Sequence, residues 1–461
     1  MGITSAIMVP HPPLIIPEIG RGKENGIEKT INAYHEAAKR LAEHKPETIV
    51  LISPHQILYS DYFHISPGNG AKGDFSRFMA GQVEMEVSYD TEFVKELCTF
   101  ADEKNIPAGT LGERDKSLDH GTMVPLYFVN KYWKDYKLVR IGLSGMPLAM
   151  HYELGQCIKE VADKLGRNVA IIASGDLSHK LMEDGPYGYS KEGPEYDSRV
   201  MDVMERAAFN ELLDFSEYFM ESAAECGHRS FVIMAGALDE SAVEAEQLSY
   251  EGPFGVGYGI CTYEPKGQDS GRSFKQQFEN VLQTKLTEQR KNEDAYVSLA
   301  RRTIEEYVTV GKTPDMPSGL PEEMLGKKAG VFVSIKKDGR LRGCIGTIEA
   351  TQSSIAKEIV ANAISASTRD PRFSPIKQAE LPWLTISVDV LGDTEKISST
   401  NELDVKRYGV IVTRGRRRGL LLPNLEGVDT VEEQLAIAKQ KAGIAEDEPV
   451  EMERFEVVRH Y

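Results

Sequence analysis

Over its first 264 residues the chain alternates short β-branched runs with stretches whose apolar residues keep helical spacing. The runs are TIVLIS (48–53), KLVRIGLS (137–144) and VAIIAS (169–174), with FGVGYGICTYEP (254–265) as a closing strand. Ile27, Ile31, Tyr34, Ala38 and Leu41 share one helical face, as do Leu154, Ile158, Val161 and Leu165. Alternation of this kind gives each strand helices to bury its faces against, and predicts a layered α/β domain over residues 1–264.

The texture changes near Pro265. PKGQDSGRS is a Pro/Gly/Ser-rich polar segment, and residues 265–285 read as a linker. Beyond it a helix with Val297, Ala300, Ile304 and Tyr307 on one face precedes the strands GVFVSI, LTISVDVLG and YGVIVTRG. Their irregular order predicts a smaller α+β domain over residues 286–461.

A formal charge of −17 argues against a nucleic-acid surface, which needs clustered Lys and Arg. No run of about 18 uninterrupted apolar residues occurs, so no helical membrane span is expected. The opening MGITSAIMVPHPPLII lacks the basic flank and long apolar core of a signal peptide, and reads as the first strand of a cytoplasmic protein. Five cysteines, none in a C-x-x-C pair, fit reduced thiols rather than a disulfide framework.

Nine of the ten histidines lie before residue 265, so imidazole chemistry belongs to the first domain. His11 follows AIMVP, His55 follows TIVLISP and His179 follows VAIIASGDLS, each just past a strand. Ligands of open α/β sheets gather outside the carboxyl ends of strands. His120 sits in SLDHGTMVPLYF. One such histidine alone is most simply a hydrogen-bonded structural residue; four together point to a metal or catalytic site. Two neutral imidazoles and one carboxylate suit non-haem Fe(II) and oxygen chemistry. The acidic candidates are Glu221 and Glu225, the latter just before Cys226-Gly227 and an apolar helix, whose positive end it can equally serve.

VPHPPLI, SPH, LDHGTMVPL and SGDLSH, in this order, resemble the class III extradiol ring-cleavage dioxygenases of the LigB type. That resemblance implies an oxidoreductase cleaving a catechol-type small aromatic with O2. It implies Fe(II) held by His11, His55 and Glu225, with His179 as acid/base catalyst and His120 beside the substrate. The related Memo-like proteins share part of the pattern, and there the implied metal set is His55, His120 and Cys226, with zinc or copper as the other metals to consider. That version implies a non-enzymatic or redox module working in an assembly.

LRGCIGT (341–347), NAISASTRDPRFSPI (362–376) and YGVIVTRGRRRGLLLPNLEGV (408–428) resemble the AMMECR-type domain. Cys344 is expected on a glycine-flanked turn, where Arg340 and Arg342 would lower its thiol pKa if they face it. A small buried cysteine is the plainer expectation. RGRRRG reads as a basic hairpin tip whose Arg416, Arg417 and Arg418 would grip an anionic ligand or partner, or stay solvated. Proteins joining the two modules resemble a grouping that includes a radical S-adenosylmethionine protein, the implied partner. No iron–sulfur C-x-x-x-C-x-x-C motif occurs here, so this chain is not that component. A homo-oligomer is also expected.

Overall fold

The computed structural model describes residues 2–337, 339–425 and 428–461, with only the backbone of Arg340. The chain divides into two compact units, Met1–Glu279 and Asn280–Tyr461.

The first unit is built on a six-stranded sheet in the order Lys137–Gly142, Thr48–Ser53, Val169–Ser174, Ile3–Val9, Tyr258–Gln268, Ser241–Glu251. The first four strands are parallel and the last two antiparallel. Helices cover both faces, so Thr48–Ser53 and Val169–Ser174 are buried along their whole length. Side chains alternate between two cores. Ile7, Leu51 and Ile172 pack on one face with Tyr34 and Leu41 of helix Glu28–Glu43 and with Val124 of helix His120–Val129. Met8, Ile52 and Ile171 pack on the other face with Leu154 and Ile158 of helix Leu148–Leu165 and with Ile233 of helix His228–Ala237. The layered α/β expectation holds.

The topology explains why the histidines converge. The three strands that precede them are neighbours running in one direction, with Val9 in register with Ser174 and Ile52 with Ala173. Their carboxyl ends therefore open onto one edge of the sheet.

Residues 265–285 are not an extended linker. The strand Tyr258–Gln268 runs on through Pro265, opposite Val243, with a register shift before Gly267. Its pairing with Ile3–Val9 spans only Ala6–Met8, opposite Cys261–Tyr263. Pro265 thus falls where one side of the strand has run past its partner, and its missing N–H is tolerated as on any edge. Helix Phe274–Lys291 follows.

The second unit is α+β. One sheet orders Arg340–Gly346, Val331–Lys337, Leu384–Leu391 and Val457–His460, and the other Glu395–Ile397, Glu451–Phe455, Gly409–Arg414 and Arg417–Leu421. Helices Ala295–Val310 and Ile355–Thr368 supply Val297, Ile304, Ile359 and Ala363 to a core with Val331, Val333 and Val388.

Candidate metal centre

His11 is 1% exposed and held at three points. Its backbone N–H donates to Asp176 Oδ1 at 2.8 Å, and its Nδ1 lies 2.9 Å from Ser174 Oγ. The Ser174 hydroxyl has one proton and donates it to the Gly121 carbonyl at 2.6 Å. Toward His11 it can only accept, so Nδ1 carries the proton and Nε2 presents a lone pair. Burial, then the neighbouring His55, holds the His11 pKa well below the ordinary histidine value. It is a neutral imidazole with a fixed tautomer.

That lone pair faces the His55 Nε2 at 2.9 Å and the Cys226 Sγ at 3.6 Å. The ligand atoms of His11, His55 and Cys226 all lie within 4.8 Å of one another. With metal–nitrogen bonds of about 2.0–2.1 Å and metal–sulfur bonds of about 2.3 Å, ligand atoms sharing one ion lie no more than about 4.4 Å apart, and both separations fall within that reach. The donor set fits a metal. Without one, burial, then the negative charges of Asp176 and Glu225, keep the Cys226 thiol well above its ordinary pKa; a bound cation would favour the thiolate instead.

Cys226 reaches this position because two backbones nearly touch. A Cβ on Gly175 would lie 2.1 Å from the Cα of Gly227, so only glycine lets the loop after Val169–Ser174 pass the Cys226-Gly227 corner. Asp176 N–H then donates to Cys226 Sγ at 3.3 Å. Asp176, Cys226 and His179 form a second group of close ligand atoms, and Asp176 Oδ2 stands 4.0 Å from His11 Nε2. Burial raises the Asp176 pKa, against the opposing charge of His179. His179 donates Nδ1–H to the Ala224 carbonyl at 2.6 Å, which leaves Nε2 free to accept a proton.

Glu225 is not brought into this group. Its carboxylate accepts the His228 N–H at 2.6 Å, at the start of helix His228–Ala237, the helix-end role that the sequence left open. It is half-buried rather than solvated, and burial pushes its pKa up to about 7. Consecutive residues in this corner point apart, and it is the Cys226 sulfur that groups with the His11 and His55 nitrogens. Neither expected ligand set is assembled whole: His11 and His55 come from one, His55 and Cys226 from the other. Glu221, exposed on helix Glu217–Ala223, is not in either group.

His120 opens the helix His120–Val129 and stacks on His55, ring centroids 3.9 Å apart. Burial, then proximity to His55 and His11, lowers its pKa to about 3, so it is neutral at physiological pH. Asp119 organises the corner: it caps the helix through Thr122 N–H and Oγ1 and accepts the Ser53 hydroxyl at 2.5 Å. His55 and His120 line a cleft of about 1180 Å3 with Phe78, Met123 and Arg140.

Sequence reasoning passed over Ser174, Asp119 and Asp176 as working residues. Asp119 carried a readable signal, an N-cap aspartate before an apolar helix. Ser174 carried none, because its role depends on Val9 and Ser174 being in register.

In the second unit, Cys344 lies inside the strand Arg340–Gly346, opposite Ser334, rather than on a turn. Its N–H donates to Asp370 Oδ2 at 2.8 Å, and Ser334 Oγ donates to its sulfur at 3.3 Å. Arg342 does not turn to the thiol: it forms a bidentate pair with Glu380 at 2.9 and 3.0 Å. The side chain of Arg340 falls outside the described residues. RGRRRG is a hairpin tip, as expected. Arg417 pairs there with Glu448, Arg418 with Glu349 and Glu453, and Arg416 is exposed.

Residues 5–261 match the family of the catalytic LigB subunit of aromatic ring-opening dioxygenase, and residues 297–460 match AMMECR1. Protein CA_C1420 of Clostridium acetobutylicum is 40% identical over 468 residues, covering 100% of this chain and 99% of that protein. A Thermotoga maritima protein is 53% identical over 170 residues, 36% of this chain and 98% of its own. A crystal structure of the Pyrococcus horikoshii protein PH0010 is 35% identical, covering 36% of this chain and 88% of that one, with a TM-score of 0.34. Among the described residues no helix is long and apolar enough to cross a membrane. With a buried and an exposed imidazole meeting at the carboxyl edge of a parallel sheet, the chain belongs to the LigB family, joined in one polypeptide to an AMMECR1 domain.

Proposed function

We propose that the first unit is a metal-dependent dioxygenase-type oxidoreductase that opens a catechol or a related small aromatic. The observation that carries this reading is the His11 Nε2 lone pair, locked by Ser174, meeting His55 and Cys226 beside an open cleft. His11, His55 and Cys226 would hold the metal, and Asp176 is the carboxylate within reach. Ferrous iron, when bound, brings a catecholate and dioxygen together, so their reaction becomes effectively unimolecular. His179 accepts the substrate's hydroxyl proton at Nε2, its ring fixed through Nδ1–H to the Ala224 carbonyl. His120, neutral and stacked on His55, presents a ring to the substrate side of the cleft. Phe78, packed edge-on to His120, excludes water from that wall.

The test is oxygen uptake by iron-loaded protein with a panel of catechols. Wild type consumes oxygen with at least one, and His179→Ala keeps its iron while losing turnover. No uptake by iron-loaded wild type across the panel would contradict the reading.

A second reading is favoured by one observation, that the third donor is a sulfur. Thiolates suit zinc and copper as well as iron, and a module holding either would act in redox or assembly with a partner such as a radical S-adenosylmethionine protein. Zinc or copper in the native protein, with no oxygen dependence, selects it.

A further inference from the structure

Arg140 is 2% exposed, on the edge strand Lys137–Gly142, and reaches the cleft that His55 and His120 line. Arginine does not escape burial by losing its proton, so a buried guanidinium needs a counter-charge or a full set of acceptors. This one lacks a full set of acceptors and, although Asp115 is near enough to feel its charge, has no described carboxylate in contact. Its hydrogen bond among the described residues runs from Nη1 to the Ser117 carbonyl at 3.0 Å. Nε is buried without an acceptor, and no described carboxylate forms an ion pair with Arg140. Of the carboxylates lining the cleft, Asp115 pairs with Arg77 at 3.6 Å, Glu86 with Lys72 at 3.0 Å, Asp74 accepts the Ser76 N–H at 2.7 Å, Asp119 binds Ser53 and Thr122, and Glu84 is exposed. The free edge of the guanidinium, Nε with Nη2, is the one that grips a carboxylate or phosphate side-on.

A second orphan stands next to it. Gln56, directly after His55, donates Nε2–H to Ser66 Oγ at 2.5 Å, while its Oε1 is buried without a donor. That oxygen lies over Gly142, two residues along the same face of the strand as Arg140. A half-turn of the amide lets Ser66 donate to Oε1 and turns an N–H outward, because a hydroxyl serves either way. Arg140 and Gln56 then offer three donors from one wall of the cleft.

We infer that Arg140 and Gln56 form an oxyanion subsite, and that the molecule bound in this cleft carries a carboxylate or phosphate group docked on them while its other end faces His55 and His120. The subsite deepens the proposed function, since it assumes that the cleft holds the substrate of that reaction. Its test requires no turnover, so the two can fail separately.

Full-length, metal-loaded protein is titrated calorimetrically with sodium benzoate and with inorganic phosphate, and its melting temperature is followed with each. Wild type binds at least one probe saturably and melts higher with it. Arg140→Gln weakens that binding about tenfold or more and loses the melting shift, as expected when a charge-assisted bidentate contact is removed. Arg140→Lys, which keeps the charge without the fork, falls between, and serves if the Gln variant does not fold. Arg77→Gln, at the exposed rim, binds as wild type does. Tighter benzoate names a carboxylate-bearing ligand, tighter phosphate a phosphorylated one, and either supports the subsite. Wild-type affinity in Arg140→Gln, loss in Arg77→Gln alone, or no saturable binding of either probe by wild type overturns it.

Discussion

Replacing Ser174 with alanine removes one hydroxyl and disturbs two buried groups at once. The His11 Nδ1–H loses its acceptor, and the Gly121 carbonyl loses its donor. A buried polar group left unpaired costs about 1–3 kcal/mol, so the variant should lose about 2–6 kcal/mol of stability, less if water fills the gap. The effect on the metal is separate. With no acceptor fixing the proton on Nδ1, His11 is free to rotate and to populate the tautomer that blocks Nε2. Loss of such supporting bonds typically weakens metal affinity about 10- to 100-fold. Chelator competition measures the affinity and thermal unfolding the stability, and Ser174→Thr, which keeps the hydroxyl, should restore much of the affinity. Wild-type metal affinity in Ser174→Ala would refute the tautomer argument.

Other expectations follow from the same geometry. Glu225→Ala, by removing the acceptor of the His228 N–H, should cost about 1–2 kcal/mol of stability while leaving metal content unchanged; metal loss would return Glu225 to the ligand set. Gly175→Ala forces a Cβ against Gly227 and should cost about 1–3 kcal/mol and weaken metal binding, with unchanged melting and affinity counting against the proposed close approach. Asp197, whose carboxylate accepts Ser178 N–H and Tyr250 O–H, has its pKa pushed by burial up to about 7. Its folded state binds the proton more tightly than the unfolded chain, so the contribution is full below about pH 4 and is lost as pH rises to about 7, by at most about 4 kcal/mol. Asp197→Asn should flatten that part of the stability profile; an unaltered slope in chemical unfolding at pH 4–7 would contradict it.

The architecture was legible because hydrophobic pattern and sheet geometry are tied together. Fully apolar runs such as TIVLIS and VAIIAS have to be buried on both faces, and histidines just past such strands meet once the strands prove to be neighbours. What escaped was everything set by single backbone turns. Glu225 and Cys226 are adjacent in sequence, and which of them faces His11 depends on the approach of Gly175 to Gly227, between residues 52 apart in the chain. Pro265 and Gly267 carried a linker's composition, yet they mark a strand irregularity at a place with no partner on one side. Arg342 looked available to Cys344 by spacing, but Glu380, from a distant segment, takes the Nε–Nη2 edge of its guanidinium and the Ser374 carbonyl takes Nη1. Composition and periodicity hold no information about such pairings.

The central claim is that His11, His55 and Cys226 together hold a metal. The most direct measurement is metal content by elemental analysis after oxygen-free purification, comparing wild type with His11→Ala, Cys226→Ser and Glu225→Ala. Near-stoichiometric metal in wild type and Glu225→Ala, with marked loss in both His11→Ala and Cys226→Ser, is the predicted result. Metal retained in Cys226→Ser and lost in Glu225→Ala would contradict the account and give the third position to the carboxylate.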